Sequence, residues 1–150
     1  MPTFPSVLVG LALLVPFGAG LPVWATEALS VQVFTTDEQP VVGADHERLR
    51  AATLTNYAVD GLDRFESTLS DGLPVDPETA KEEALGRIQE IDDAYMAPAK
   101  NAAIGLAKAI QYGVDSYPAI VFDERAVVYG VTDLVEALNR YEAWHREHAQ

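Results

Sequence analysis

Apolar side chains at strand spacing mark four short stretches of the chain. They are residues 29–36, 55–62, 119–122 and 126–129. In the first stretch Val31 and Val33 stand on either side of Gln32 among other β-branched residues, a pattern typical of a strand. The last two stretches are apolar runs joined by a short polar connection, so a β-hairpin is predicted there.

Apolar side chains at helical spacing mark five further stretches. They are residues 44–54, 62–74, 75–95, 99–112 and a last helix that Thr132 or Asp133 caps. Asp45 is the predicted N-cap of the first helix, and Asp76 that of the third, where Pro77 takes the first helical position. Gly113 lies where a left-handed residue is expected to end the fourth helix.

The spacing also predicts which helical positions are buried. These are Leu49, Ala52 and Thr53; Leu85, Ile88, Ile91 and Tyr95; Ala99, Ala102, Ala103, Leu106 and Ile110; and Leu134, Val135, Leu138 and Tyr141. Pro98 has no amide hydrogen and crowds the preceding turn, so the third helix is expected to end or kink there. The many alanines after it predict a helix that lies close against a sheet. The order β-α-β, helices, β-β-α predicts one α/β domain.

Composition and charge narrow the class of partner. The chain has 150 residues, of which 49% are hydrophobic and 22% charged, as in folded globular proteins. Its formal net charge is −13. An acidic surface repels phosphate backbones and provides no basic patch for anionic lipid, so neither nucleic acid nor a membrane surface is an expected partner.

The N-terminal residues predict export. Residues 7–25 are almost wholly apolar and uncharged, and Ala25 stands where a signal peptidase would cleave. We predict a signal peptide at residues 1–25 and one mature domain at residues 26–150 in the periplasm, with no stable membrane span after cleavage. An uncleaved anchor helix is the alternative, but helix-breaking residues interrupt its second half: Pro16, Gly18, Gly20 and Pro22.

Candidate chemistry is sparse. The chain has no cysteine, so thiol–disulfide exchange is excluded. No phosphate-binding glycine loop, nucleophile elbow or acid–base pair is present, and neither an enzyme nor a cofactor is predicted. His145 and His148 are close enough on one helix to share a metal, but the sequence offers no third ligand. Their favourable position at a helix C-terminus is the simpler explanation.

A resemblance adds a fold and a process. Residues 33–40 (VFTTDEQP) and 117–138 (YPAIVFDERAVVYGVTDLVEAL) resemble a group of exported thioredoxin-like proteins that integrating conjugative elements encode. These proteins are associated with mating-pair formation and type IV secretion. The resemblance implies a thioredoxin-like α/β fold, in which a mixed four-stranded sheet is flanked by helices. It also implies a protein partner, expected to be a conjugative secretion component, and a redox-inactive accessory role.

The same resemblance implies a binding site. In thioredoxin-like proteins the proline at the position of Pro118 is cis, and the residue before it presents its backbone to an extended peptide. The implied contact residues are Tyr117, Pro118 and Ala119, with the facing loop residues Thr35, Thr36, Asp37, Glu38 and Gln39. Two other interpretations are open. In the first, Tyr117-Pro118 is only a turn that the fold requires. In the second, the loop residues supply only capping and turn hydrogen bonds.

Overall fold

A computed structural model describes residues 28–148. Four strands, four helices and one 3-10 turn follow one another along these residues. They are β1 (Ser30–Thr35), the 3-10 turn (Glu47–Leu49), β2 (Thr53–Ala58), α1 (Gly61–Ser70), α2 (Pro77–Gln89), α3 (Asp93–Tyr112), β3 (Ala119–Phe122), β4 (Ala126–Tyr129) and α4 (Leu134–His148). The predicted α/β class with a mixed four-stranded sheet is confirmed. The predicted signal peptide, residues 1–25, lies outside the described residues.

The four strands form one sheet in the order β2-β1-β3-β4. β1 pairs with β2 in parallel and with β3 antiparallel, and β3 and β4 form the predicted antiparallel hairpin. Phe34 of β1 lies opposite Ala119 of β3, so the end of β1 and the beginning of β3 meet at one end of the sheet. We call this the upper end; the β3–β4 turn lies at the lower end.

Each face of the sheet has its own hydrophobic core, because side chains alternate along a strand. Val31, Val33, Ile120 and Phe122 pack with residues of α4 in one core. The opposite face carries Phe34, Tyr57, Ala119 and Val121, which pack against α3. The 3-10 turn supplies Leu49 to the α4 side. The side chains that alternate around Gln32 therefore point to two opposite faces of the sheet, and both faces are buried.

The helix predicted at residues 44–54 is wrong. Only the 3-10 turn Glu47–Leu49 forms there, capped by His46 and not by Asp45, and Thr53 and Leu54 belong to β2. Leu49 is buried as predicted, but Thr53 is exposed. The backbone of β2 pairs with β1 from Thr53 onward, and this pairing outweighs the weak helical spacing of the stretch.

The break between the third and fourth predicted helices lies earlier than Pro98. α2 ends at Gln89, and Asp92 caps a new helix that runs through Pro98 to Tyr112. The Asp92 carboxylate accepts a hydrogen bond of 2.8 Å from the Tyr95 amide. Pro98 therefore lies inside α3, where it removes one hydrogen bond without ending the helix. The cap at Asp76 is confirmed, with a 3.0 Å bond from the Thr79 amide.

The apolar stripe predicted across residues 85–95 is mostly exposed. α2 has no buried residue, and Leu85 and Ile88 are each about half exposed. The stripe of α3 is also displaced: Ala99 and Ala102 are buried as predicted, whereas Ala103 and Ile110 are exposed. Gly105 and Ala109 take their places against the sheet. The predicted close approach of this helix to the sheet is confirmed, and Gly113 ends the helix in the left-handed conformation.

α4 begins at Leu134 under a cap from Asp133, whose carboxylate accepts a 2.8 Å bond from the Val135 amide. Leu134, Leu138 and Tyr141 are buried as predicted, with Ala137, whereas Val135 is only half-buried. Within residues 28–148, no helix combines the length and the apolar character needed to cross a bilayer.

Tyr141 ties α4 to the lower end of the sheet. Its hydroxyl donates a 2.8 Å hydrogen bond to the Asp123 carboxylate, which also accepts a bond of 2.9 Å from the Ser30 amide. Burial, and next the bond to Asp123, raise the pKa of Tyr141 to about 12. The folded protein therefore favours the neutral phenol.

We expect Tyr141→Phe to lower the free energy of unfolding by about 1–3 kcal/mol near neutral pH, because a hydrogen bond to a charged group is lost. The difference should persist below the ordinary tyrosine pKa near 10. It should shrink as pH rises through the folded-state pKa of about 12, where the phenol ionises. Urea unfolding of both proteins from pH 7 to pH 12 measures this. A difference that stays constant across that range would contradict the assignment.

Candidate functional site

The predicted site lies at the upper end of the sheet. The Tyr117-Pro118 peptide bond is cis, and Pro118 and Ala119 are buried. The Pro118 carbonyl accepts a 2.9 Å hydrogen bond from the Gly130 amide, which extends the β3–β4 pairing by one residue, before the beginning of β3 and past the end of β4. Pro118 and Ala119 are thus buried in the sheet framework, and their contact with a partner stays a prediction.

Tyr117 is the accessible part of this turn. Its side chain is half-buried and packs against the core on the α3 side of the sheet. Within residues 28–148, its backbone amide and carbonyl make no hydrogen bond. Unpaired backbone groups beside a sheet can pair with an added extended segment.

The facing loop, residues 35–39, is held by its own hydrogen bonds. The buried Thr35 hydroxyl donates to the Gln39 carbonyl, and the Gln39 amide donates to the Thr36 carbonyl over 3.1 Å. These are turn bonds of the kind that the simpler interpretation expects. Asp37, Glu38 and Gln39 are exposed, while Thr36 is half-buried. The register brings this loop to the same end of the sheet as Tyr117, because Phe34 lies opposite Ala119.

A cluster of three charged residues, Asp37, Asp60 and Arg64, fixes the loop to the end of β2. The Asp37 amide donates a 3.1 Å hydrogen bond to Asp60, and the Arg64 guanidinium pairs with Asp37 and, at 3.6 Å, with Asp60. One oxygen of Asp60 is buried without a hydrogen-bond partner among the described residues. The sequence analysis missed Asp60 and Arg64, because only the parallel pairing of β1 with β2 brings residues 60–64 beside residue 37.

An apolar cavity adjoins this charged cluster on the α3 side. Its volume is about 510 Å³, and its lining includes Arg64, Phe65, Tyr95 and Pro98. The Phe65 and Tyr95 rings meet at 5.6 Å between centroids. The cavity and the loop therefore share Arg64. No residue pattern indicated that α1 and α3 would frame a concave surface.

The two histidines lie elsewhere, on the exposed end of α4. Trp144 stacks on His148 at 5.0 Å, and its carbonyl lies 2.8 Å from a ring nitrogen of that residue. Among residues 28–148, no three His, Cys, Asp or Glu side chains are grouped so that they could hold a metal. His145 and His148 thus remain a pair at a helix end.

A polar network at the lower end was also missed. Tyr112 accepts hydrogen bonds of 3.0 Å from Gln32 and from Lys108, and donates one of 2.7 Å to Glu124. The bond from Tyr112 lowers the pKa of the Glu124 carboxyl, and the bond with Tyr112 raises the pKa of Lys108. The network pairs the buried Gln32 amide and ties the hairpin turn to α3. It gives these residues a structural role, since all of them satisfy one another.

Comparison with known proteins identifies a family and no individual relative. The chain matches no curated protein and no solved structure. A family model matches residues 28–147, which is nearly every described residue and most of the chain. By that match, the chain belongs to the family described as "Protein of unknown function (DUF1525)".

Proposed function

We propose that the protein is an exported, redox-inactive member of the thioredoxin-like class that acts by binding another protein in conjugative transfer. Its partner in this proposal is a component of the conjugative secretion apparatus, met in the periplasm. The protein is a binding protein and not an enzyme, and the absence of cysteine already excludes thiol–disulfide exchange.

The observation that carries the binding part of the proposal is the free backbone of Tyr117. Its amide and carbonyl make no hydrogen bond within residues 28–148, and its half-buried side chain lies beside them. Pairing of a partner segment there supplies main-chain hydrogen bonds, while the ring supplies apolar contact. Pro118 and Ala119 support the turn from within the core, and the loop of Glu38 and Gln39 forms the polar rim.

The conjugative part of the proposal rests on the sequence resemblance at residues 33–40 and 117–138. Pull-down of the full protein from donor cells, followed by mass spectrometry, tests it together with the transfer frequency of a deletion strain. We expect enrichment of a secretion component and a reduced transfer frequency. Recovery of no such component, with normal transfer in the deletion strain, would overturn it.

A second function is favoured by the same backbone groups: a general periplasmic peptide-binding, chaperone-like protein. Main-chain hydrogen bonds carry no side-chain information, so a site built on them accepts many extended sequences. An array of unrelated extended peptides separates the two functions. Binding to many of them favours the general binder, and a silent array together with a single pulled-down partner favours the accessory protein.

In either case, we expect Tyr117→Ala to weaken binding by about tenfold, because loss of a buried aromatic contact commonly costs more than 1 kcal/mol. Ile110→Ala is the matched control, since Ile110 is 81% exposed on the outer side of α3. Isothermal titration with the pulled-down partner, or with the best array peptide, measures both. Equal affinities for Tyr117→Ala and the original protein would remove Tyr117 from the site.

A further inference from the structure

The two edges of the sheet are treated differently. On the β2 edge, the Asn101 side chain of α3 accepts a 3.0 Å hydrogen bond from the Ala58 amide and donates one of 3.0 Å to the Asn56 carbonyl. These two bonds occupy backbone groups that would otherwise face an added strand. Among residues 28–148, no side chain bonds to the backbone of β4 in this way.

The pairing pattern shows which β4 groups are free. Opposed residues of an antiparallel pair alternate between hydrogen-bonded and non-hydrogen-bonded pairs. Gly130 donates to Pro118, so the pairs of Val128 with Ile120 and of Ala126 with Phe122 are also the bonded type. The amides and carbonyls of Val127 and Tyr129 therefore point away from β3, along the open edge.

A groove follows this edge. Its volume is about 470 Å³, and it is lined by all four residues of β4 and by Arg125, Arg140, Tyr141 and Trp144. Two arginines line it. Arg140 is paired with the Glu136 carboxylate at 2.6 Å, whereas Arg125 makes no ion pair among residues 28–148, so Arg125 is the available positive charge of the groove. Trp144 is 39% exposed and offers an apolar wall.

We propose that the β4 edge binds an extended acidic segment of a partner protein, which adds to the sheet as a fifth strand. The segment pairs with the free groups of Val127 and Tyr129. Alternate residues of a strand lie on the same face, so an apolar side chain rests against Tyr141 and Trp144 while a carboxylate two residues away reaches Arg125.

A second copy of this chain fits the groove poorly. β4 reads Ala-Val-Val-Tyr and brings no carboxylate to the two arginines. Arg125 thus favours an acidic segment over the β4 strand of a second copy. This edge is distinct from the Tyr117 turn, and the two sites are separable by experiment.

The test uses the full chain, labelled for NMR, and the capped peptide Ser-Asp-Val-Phe-Val-Asp-Ser. We expect saturable shifts centred on the amides of Val127 and Tyr129, and slower hydrogen exchange at those two amides. A peptide with lysine in place of both aspartates should bind about tenfold more weakly, as expected where one close charge pair is lost. Shifts centred on Tyr117, with none at β4, would overturn the assignment of this edge.

Charge reversal provides the matched pair of variants. We expect Arg125→Glu to weaken the acidic peptide by about tenfold and to improve binding of the lysine peptide. Arg50→Glu makes the same change of net charge at an exposed residue outside the groove, and should leave both affinities within about twofold. Equal effects of the two variants would overturn the proposal, as would a stable dimer in which the Val127 and Tyr129 amides are already protected without peptide.

Discussion

Phe122→Ala is expected to lower the free energy of unfolding by about 3–5 kcal/mol, the largest effect of any single substitution considered for this chain. Phe122 is fully buried in β3 and stacks on the Tyr141 ring, with the centroids 4.7 Å apart and the planes nearly parallel. Its removal leaves a cavity between the sheet and α4. Because domains of this size are commonly stable by only about 5–15 kcal/mol, such a loss removes a large share of the total.

Phe65→Ala is the control for this prediction. Phe65 also contacts a tyrosine ring, but it lies half-buried on α1, beside the open cavity. We expect it to cost about 1 kcal/mol, because much of its surface is in water already. Urea unfolding followed by far-ultraviolet circular dichroism measures both variants. Equal losses would contradict the assignment of Phe122 to the main core between sheet and α4.

The strands and caps were predictable because their signals are local. The hairpin at residues 119–129, the caps at Asp76 and Asp133 and the left-handed Gly113 all follow from neighbouring residue types. The cis Tyr117-Pro118 bond, by contrast, was predictable only from the family resemblance, because an X-Pro pair by itself favours trans. Where a cap or turn residue is present, local chemistry thus predicts where an element begins or ends. It does not predict which side of a helix is buried.

The errors came from stretches where tertiary contacts decide. Residues 53–54 carry helical spacing, yet they pair with β1, a contact that residue types near them do not indicate. On α3, the predicted face was displaced because the buried Gly105 has no side chain to mark it as apolar in the sequence. The helix can pack closely there because Gly105 lacks a β-carbon, which would otherwise collide with the β-carbon of Tyr57. An absent side chain leaves no apolar signal.

The site was predicted in part for the same reason. Tyr117 and the loop at residues 35–39 were found through the resemblance, and the register places them at one end of the sheet. Asp60 and Arg64 were missed, because only the parallel β1–β2 pairing brings them to Asp37. The open β4 edge was missed as well, since which edge a helix side chain covers depends on where α3 and Asn101 lie.

Gly105→Ala is expected to destabilise the protein although it replaces glycine in a helix interior. Alanine there ordinarily gains about 1 kcal/mol. A β-carbon on residue 105 would lie 2.5 Å from that of Tyr57, however, so α3 must move away from β2. Overpacking of this kind costs about 1–3 kcal/mol or more, which exceeds the gain. The movement also pulls Asn101, one turn earlier, from its bonds to β2.

Gly86→Ala supplies the opposite sign in the same protein. Gly86 lies inside α2, and nothing lies within 4 Å of a β-carbon built there. We expect it to stabilise the protein by about 0.5–1 kcal/mol, since only the helix propensity changes. Urea unfolding measures both, and hydrogen exchange at the Ala58 amide should become faster in Gly105→Ala alone. Stabilisation by both substitutions would show that α3 does not pack against β2 through Gly105. The explanation that this packing lets Asn101 cover the β2 edge, while the β4 edge stays open, would then be wrong.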